Sequence, residues 1–140
     1  MSARLTRRTF GAAVLVALAA CGQKAGARCE TCGMRLTPTD PFFAELVPAT
    51  GVAIGFDSPR CAFEGLARHA GASLWVHEYY DQVRRPATEL RFVEHSDVVG
   101  PMGPDLIPVD PERVTRFVTG HGGGRISSFE ETAARFVHAP

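Results

Sequence analysis

The strongest constraint on the fold is a recurring order of short apolar runs, each ended by residues that favour turns. Residues 42–47 and 52–56 are partly alternating apolar runs joined by a turn that contains proline and glycine, which is typical of a β-hairpin. Ser58-Pro59 then supplies a helix N-cap and a proline at the first helical position, and Gly71 ends the helix that follows. Residues 74–80 are rich in aromatic side chains and predict a third strand, which completes a ββαβ unit.

The second half of the chain predicts a similar order of elements. These elements are two strands over residues 89–94 and 106–109, a helix that starts at Asp110-Pro111-Glu112, a strand over 125–127 and a terminal helix from Ser128 to Val137. With 140 residues, of which 45% are hydrophobic, the chain can form one domain with a substantial core. The predicted fold class is therefore α+β, with two small ββαβ-type units packed as one compact domain.

The N-terminus is predicted to direct export. The paired arginines Arg7 and Arg8 precede an apolar run over residues 11–20, and this run is shorter than the roughly 20 apolar residues that a bilayer span needs. Residues 1–20 are therefore predicted to be a signal peptide. The segment Thr-Arg-Arg-Thr-Phe at 6–10 resembles a twin-arginine signal, but ordinary export signals are also basic, so both export routes stay open.

A predicted lipidation site follows the signal peptide. Leu18-Ala19-Ala20-Cys21 resembles the lipobox at which bacterial lipoproteins are cut and acylated. Residues 21–28 are then the lipidated cysteine and its tether, and residues 29–140 form the functional domain. Because acyl chains contribute about 0.8 kcal/mol per buried CH₂, an acylated Cys21 would hold the protein on the lipid bilayer. We expect a lipid-anchored protein on the periplasmic side of a membrane; the alternative is a soluble secreted protein with a spare cysteine.

Sulfur donors are concentrated in the stretch Cys29-Glu-Thr-Cys32-Gly-Met34. Thiolate and thioether ligands select Cu(I), zinc or iron–sulfur centres over hard cations. Met102 lies in a Gly/Pro loop that is able to approach this stretch. We therefore expect the two segments to hold one soft metal ion, with Cu(I) as the leading candidate.

Three cysteines remain besides Cys21, and three thiols cannot all pair within one chain. One alternative to metal binding is a disulfide between Cys29 and Cys32. Cys61 lies on the predicted first helix and is expected to be a buried structural thiol. Glycine follows Cys32 where a c-type haem attachment needs histidine, and the sequence has no second Cys-x-x-Cys for a four-thiolate zinc site.

The charged residues favour neither nucleic-acid binding nor catalysis. Fifteen basic and fifteen acidic residues give zero formal net charge, so the composition offers no basic surface for a nucleic acid. Asp57, Glu78 and Asp97 are predicted to be turn or surface acids. His95 is near enough to the Met102 loop to be a candidate ligand, with a surface role as the alternative. No Ser/His/Asp or paired-carboxylate spacing stands out, and the chain is predicted not to be an enzyme.

Several short segments, taken in order, resemble the NosL family. They are Cys32-Gly33-Met34, Phe56-Asp57, Cys61-Ala62-Phe63, Ser96-Asp97, Gly100-Pro101-Met102-Gly103 and the run from Gly122 to Glu130. The family consists of lipoprotein accessory factors for the maturation of nitrous-oxide reductase, and the resemblance spans about residues 29–131. It implies a fold of two small ββαβ units, binding of Cu(I), and delivery of copper through a membrane transporter complex.

The resemblance also implies which residues bind the metal. Cys32, Met34 and Met102 match the family's Cys-Gly-Met and Pro-Met-Gly segments and are the predicted Cu(I) ligands. Cys29 precedes the first segment and is either a fourth donor or an exchange thiol. Thioethers carry no proton, so only the thiolate ligand is expected to make binding depend on pH.

The loop around Met102 departs from the family pattern on both sides. Gly100 stands where the family usually has threonine, and Pro104-Asp105 stands where a glycine-rich continuation is common. Neither difference removes a sulfur donor, so metal binding is still expected, although the shape of the loop is expected to differ.

The predicted function is a membrane-anchored, extracytoplasmic metallochaperone that delivers Cu(I) for the assembly of nitrous-oxide reductase. Its predicted partners are that reductase, the reductase's copper-maturation transporter complex and the lipid bilayer. Two alternatives stay open. One is a periplasmic thiol–disulfide oxidoreductase that uses Cys29 and Cys32, and the other is a structural lipoprotein with an incidental disulfide.

Overall fold

The computed structural model describes residues 26–137. The signal peptide predicted over residues 1–20, the lipidation site Cys21 and the first part of the tether lie outside the described residues. Within residues 26–137, no helix is both long enough and apolar enough to cross a membrane.

The first half of the described chain forms a four-stranded antiparallel sheet with a helix on one face. Strands β1 to β4 are Ala44–Val47, Ile54–Phe56, Ser73–His77 and Arg84–Pro86, and helix α1 is Pro59–Leu66. The strand order is β2-β1-β3-β4, so the first strand pairs with both β2 and β3. Because α1 lies between β2 and β3 in the sequence, this half has the predicted ββαβ order.

The second half repeats this topology in a smaller sheet. Strands β5 to β9 are Arg91–Glu94, Val99–Gly100, Gly103–Pro104, Ile107–Val109 and Arg125–Ser127, and helix α2 is Val114–His121. The order β8-β5-β9 again places the first strand of the unit in the centre, and α2 again connects the second strand to the third. The short hairpin of β6 and β7 is inserted between β5 and β8. The predicted α+β class with two ββαβ-type units is confirmed.

Strand β5 joins the two units because its two faces belong to different cores. Phe92 packs in the core of the first unit, whereas the next residue, Val93, packs in the core of the second unit beside Phe117. Successive side chains of a strand point to opposite faces, so one strand can serve both cores. The Phe63 ring from α1 meets the Phe92 ring edge-on, with 4.9 Å between ring centroids.

The terminal helix also connects the two halves. Helix α3, Phe129–Val137, follows the last strand of the second unit but packs against α1 of the first unit. Its side chains Phe129 and Phe136 lie 5.7 and 5.8 Å from Phe63, measured between ring centroids. The two units therefore share the first core, to which α1, β5 and α3 all contribute, in agreement with the prediction of one compact domain.

Two features of the fold differ from the sequence-based expectations. The strand predicted over 74–80 ends at His77, because Glu78 turns inward and begins a tight turn. Glu78 was expected to be a turn or surface acid, but its side chain is fully buried. Its carboxylate accepts backbone N–H groups of Tyr80 and Asp81 at 2.8 and 2.9 Å and the Arg113 guanidinium at 2.9 Å. These three donors reach Oε2, and the Asp110 N–H donates to Oε1 at 3.2 Å, so burial is tolerated because each oxygen has a donor.

A substitution in β5 tests the shared interior. Phe92→Ala removes the ring between the first core and α3, and we expect a loss of about 3–5 kcal/mol in the free energy of unfolding, because a cavity replaces a fully buried ring. Urea denaturation of the purified protein measures this change. Val52→Ala is the matched control, since Val52 is 85% exposed and should change stability by less than about 0.5 kcal/mol. A Phe92→Ala variant as stable as the control would contradict the shared core.

Candidate metal site

Three cysteines and one aspartate converge beside the N-terminus of α1. One ligand atom from each of Cys29, Cys32, Asp57 and Cys61 lies within 4.8 Å of the others. The three thiols are free in the structure, so the alternative Cys29–Cys32 disulfide is not formed. Cys29, Asp57 and Cys61 are buried, whereas Cys32 is partly exposed. We call these four residues the thiol cluster.

The loop that carries the first two thiols is folded back on itself. The Cys29 N–H donates to the Met34 carbonyl and the Gly33 N–H donates to the Cys29 carbonyl, each at 2.8 Å. Gly33 has a φ of +76°, in the left-handed region that favours glycine, which lets the chain reverse directly after Cys32. The Arg28 side chain closes the same loop by donating to the Gly33 carbonyl at 2.9 Å. The reversal turns both thiols towards the domain.

Contacts with α1 hold this loop against the rest of the cluster. The Thr31 hydroxyl, which lies between the two cysteines, donates to the backbone carbonyl of Cys61 at 2.8 Å. Glu30 accepts from Arg68 at 2.8 Å and contacts His69 at 2.8 Å. These contacts lower the pKa of the Glu30 carboxyl, chiefly through its hydrogen bond with Arg68. The loop is thus held by contacts at the first turn of α1 and just beyond its last residue.

The other two members of the cluster lie at the junction of β2 and α1. Asp57 directly follows β2, and Ser58 caps the helix by accepting the Cys61 N–H through its hydroxyl at 3.3 Å. Proline at the first helical position fits here because its missing N–H would have no helical partner. This short junction brings the Asp57 carboxylate and the Cys61 thiol to one side of the helix start.

The carboxylate of Asp57 has an unusual environment. Among residues 26–137, no hydrogen bond of standard geometry reaches either of its buried oxygens. Burial acts to raise the pKa of Asp57, but the neighbouring thiols of Cys29, Cys61 and Cys32 outweigh burial and hold that pKa below its usual value. Within the described part of the chain, the cluster therefore contains a buried negative charge that is stabilised mainly by thiol donors and not by a cation.

The pKa values of two of the thiols shift in the opposite direction, upwards. Burial raises the pKa of the Cys32 thiol. Burial, followed by the adjacent Asp57 carboxylate, raises the pKa of the Cys61 thiol strongly. Both thiols are thus protonated at neutral pH in the absence of a metal. A soft cation that displaces these protons would gain thiolate ligands, the donors that it prefers, so the donor set suits a soft metal ion.

The predicted methionine ligands lie outside the buried cluster. The Met34 residue is 39% exposed and Met102 is 57% exposed. Met34, Asp57 and Pro101 line one cleft of about 150 Å³, and Met102 follows Pro101 at the tip of the β6–β7 hairpin. The structure therefore brings Cys29 and Cys32 together and places Met34 and the methionine hairpin around an opening that leads to Asp57.

Asp105 fixes the hairpin relative to the helix start. Its carboxylate accepts the N–H groups of Leu106 and Arg60, at 2.7 and 3.1 Å, so it joins the strand after the hairpin to the first turn of α1. A Cβ atom on Gly100 would lie 2.7 Å from the second Asp105 oxygen. The buried Asp105 carboxylate thus fills the space that a side chain at position 100 would need, so aspartate at 105 requires glycine at 100.

Two members of the cluster were not predicted as ligands. Cys61 was expected to be a buried structural thiol, and it is buried, but it lies beside Cys29 and Cys32. Asp57 was expected to be a turn or surface acid, but the structure buries it in the same cluster. The sequence did contain one indication that these two residues lie close together, the spacing Asp-Ser-Pro-x-Cys. The Ser58 N-cap sets the backbone geometry of the residues on both sides of it. His95, the further candidate, is exposed in a turn with a φ of +59° and lies outside the cluster.

Comparisons with known proteins agree with this fold. The NosL family model matches residues 22–137. The fold is similar to the crystal structure of the copper chaperone NosL from Shewanella denitrificans, with a TM-score of 0.64 and 24% identity, covering 75% of this chain and 88% of that chain. No curated protein sequence matches the chain. Because the family model matches most of its length, this chain belongs to the NosL family.

Proposed function

We propose that this protein is a membrane-anchored, extracytoplasmic Cu(I) carrier that supplies copper for the assembly of nitrous-oxide reductase. The observation that carries this proposal is the thiol cluster, in which three free cysteines surround a buried carboxylate. Membership of the NosL family supports the choice of copper. The similar solved protein is itself described as a copper chaperone.

The spacing of the cluster fits a small thiophilic ion. A metal–sulfur bond is about 2.3 Å long, so two sulfurs on opposite sides of one ion lie about 4.6 Å apart. The ligand atoms of Cys29, Cys32, Asp57 and Cys61 are already within 4.8 Å of one another. Two or three thiolates can therefore close on Cu(I) with small side-chain movements, and soft sulfur donors are the ligands that Cu(I) prefers.

The proposed site has a buried part and an exposed part. Cys29 and Cys61 lie inside the domain, Met34 and Met102 lie at the surface, and the partly exposed Cys32 lies between them. Cu(I) arriving at the surface would meet thioethers first, which bind without losing a proton. It would then pass to the thiols. A carrier benefits from this arrangement because the exposed donors are accessible to a protein that accepts the metal.

The thiol–disulfide oxidoreductase alternative finds little support in this geometry. A reactive cysteine of that class is a thiolate at neutral pH, exposed and with a lowered pKa. Here burial raises the pKa of Cys32, and Cys29 is buried. The structural-lipoprotein alternative gives no role to the convergence of three free thiols on one buried carboxylate. A metal carrier rather than an enzyme accounts for both observations.

The location and partners of the carrier form part of the same proposal. The predicted acylated Cys21 precedes the thiol cluster by only a short tether, so the anchor would keep the metal site close to the bilayer surface. The proposed recipients are nitrous-oxide reductase and its copper-maturation transporter complex. Cells that produce the reductase with a Cys21→Ser form of this protein would contain less copper in the enzyme if the anchor matters.

Cu(I) titration against a competing chelator tests the site. We expect one Cu(I) per chain, an affinity at least about tenfold weaker in Cys32→Ser and in Cys61→Ser, and a smaller loss in Met102→Leu, because the thiolates supply most of the binding energy. Val99→Ala on the same hairpin is the matched control and should titrate like wild type. Unchanged affinity in both cysteine variants would show that the thiol cluster does not hold the metal.

The raised thiol pKa values predict a steep dependence of affinity on pH. Cys32 and Cys61 are protonated at neutral pH, so binding through both thiolates releases two protons. The affinity should then rise by about two powers of ten for each unit of pH between about pH 6 and 8. Competition titrations with a chelator of known protonation behaviour measure the slope. A slope near zero would mean that thioethers, which carry no proton, dominate the binding.

A further inference from the structure

A second cavity lies where the two units of the domain meet, and it shares no residue with the thiol cluster. It has a volume of about 450 Å³ and is bounded by the turn after β3, by β8 and by the end of α2. Phe42, Tyr79, Tyr80 and Pro108 form much of its wall, so its surface is mostly apolar and aromatic. A volume above about 300 Å³ with such walls is typical of small-molecule sites.

The aromatic wall is held in place by its packing. The Tyr79 ring meets the rings of Tyr80 and Phe117 edge-on, with centroids 5.0 and 4.9 Å apart. The Arg116 guanidinium covers Tyr80, with its Cζ atom 4.7 Å from the ring centroid. Because these rings are fixed by neighbours behind them, the cavity is preformed and a flat ligand would not have to create it.

One end of the cavity carries a chain of polar groups. The Tyr79 hydroxyl is 3.2 Å from Nε2 of His121, and Nδ1 of His121 is 2.9 Å from Oδ1 of Asp97. The carboxylate can only accept, so Nδ1 of the neutral imidazole carries the proton and Nε2 has a lone pair. The Tyr79 hydroxyl must then donate to Nε2. Its own oxygen keeps free lone pairs at the cavity and acts there as an acceptor.

The charge at this end restricts the ligand further. Burial raises the pKa of Tyr79, and the nearby Tyr80 and Asp97 act in the same direction, so the hydroxyl stays protonated. The Asp97 carboxylate disfavours an anionic ligand at the same end. His77 also lines the cavity, and its Nδ1 is buried without a hydrogen-bond partner among residues 26–137. The site is thus polar at one end and apolar elsewhere.

We infer that this cavity binds a neutral, planar aromatic molecule of about two rings that donates one hydrogen bond, from a hydroxyl or ring N–H, to the Tyr79 oxygen. Asp97 and His121 are positioning residues for that contact, because they fix the direction of the Tyr79 hydroxyl. This binding activity is separate from the proposed copper function and does not depend on it.

Two matched probes test the inference on the whole protein. 2-Naphthol has the ring system and a donor, whereas 2-methoxynaphthalene has the same rings without the donor. We expect saturable binding of one 2-naphthol per chain, at least about tenfold tighter than 2-methoxynaphthalene, because one hydrogen bond separates the two probes. Titration calorimetry or ligand-observed NMR measures both affinities. No saturable binding, or equal affinities, would overturn the inference.

Variants then locate the donor contact. Tyr79→Phe removes the acceptor and should bring the affinity ratio of the two probes close to one. Asp97→Asn should also reduce the ratio, and because the Asp97 side chain is 69% exposed this variant should fold even if Tyr79→Phe does not. Thr119→Val is the matched control, since it removes an exposed hydroxyl on α2 that does not line the cavity and should keep the ratio. A wild-type ratio in both Tyr79→Phe and Asp97→Asn would overturn the inference.

Discussion

The buried carboxylate of Asp57 is the constraint on which the proposed metal site depends. Burial alone would disfavour its charge, but the thiols of Cys29, Cys61 and Cys32 act as hydrogen-bond donors and hold the pKa of Asp57 below its usual value. The carboxylate thus draws the three thiols together, and the ligand atoms of all four residues lie within 4.8 Å of one another. A soft metal ion that displaced two of the thiol protons would bind two thiolates directly. The donor set therefore suits a soft metal ion.

The start of α1 is the junction at which distant parts of the chain meet. Thr31 connects the loop that carries Cys29 and Cys32 to the backbone of Cys61. Asp105 connects the β6–β7 hairpin to the backbone of Arg60, which directly precedes Cys61. The Ser58 cap sets the direction of the helix itself. Each contact connects one sulfur-bearing segment to the first turn of α1. A change in packing at α1 would therefore shift both the buried thiols and the exposed methionines.

Local signals were sufficient to predict the element order but not the composition of the site. Ser58-Pro59 predicted the start of α1 correctly, because capping depends on neighbours in the sequence. The position of Cys61 in the thiol cluster and the burial of Glu78 depend on contacts with residues about 30 positions away, which no local pattern contains. The packing of α3 on the first unit could not be predicted either, because an apolar stripe on a helix does not indicate which surface the helix packs against.

X-ray absorption on the Cu(I)-loaded protein tests the central claim most directly, because it counts sulfur neighbours of the metal. In the Met34→Leu/Met102→Leu double variant, the account predicts a shell of two or three sulfurs at about 2.3 Å, as in wild type. In the Cys29→Ser/Cys61→Ser double variant, it predicts that this shell loses at least one sulfur. The opposite pattern, with sulfur lost only in the methionine variant, would contradict a Cu(I) site built on the thiol cluster.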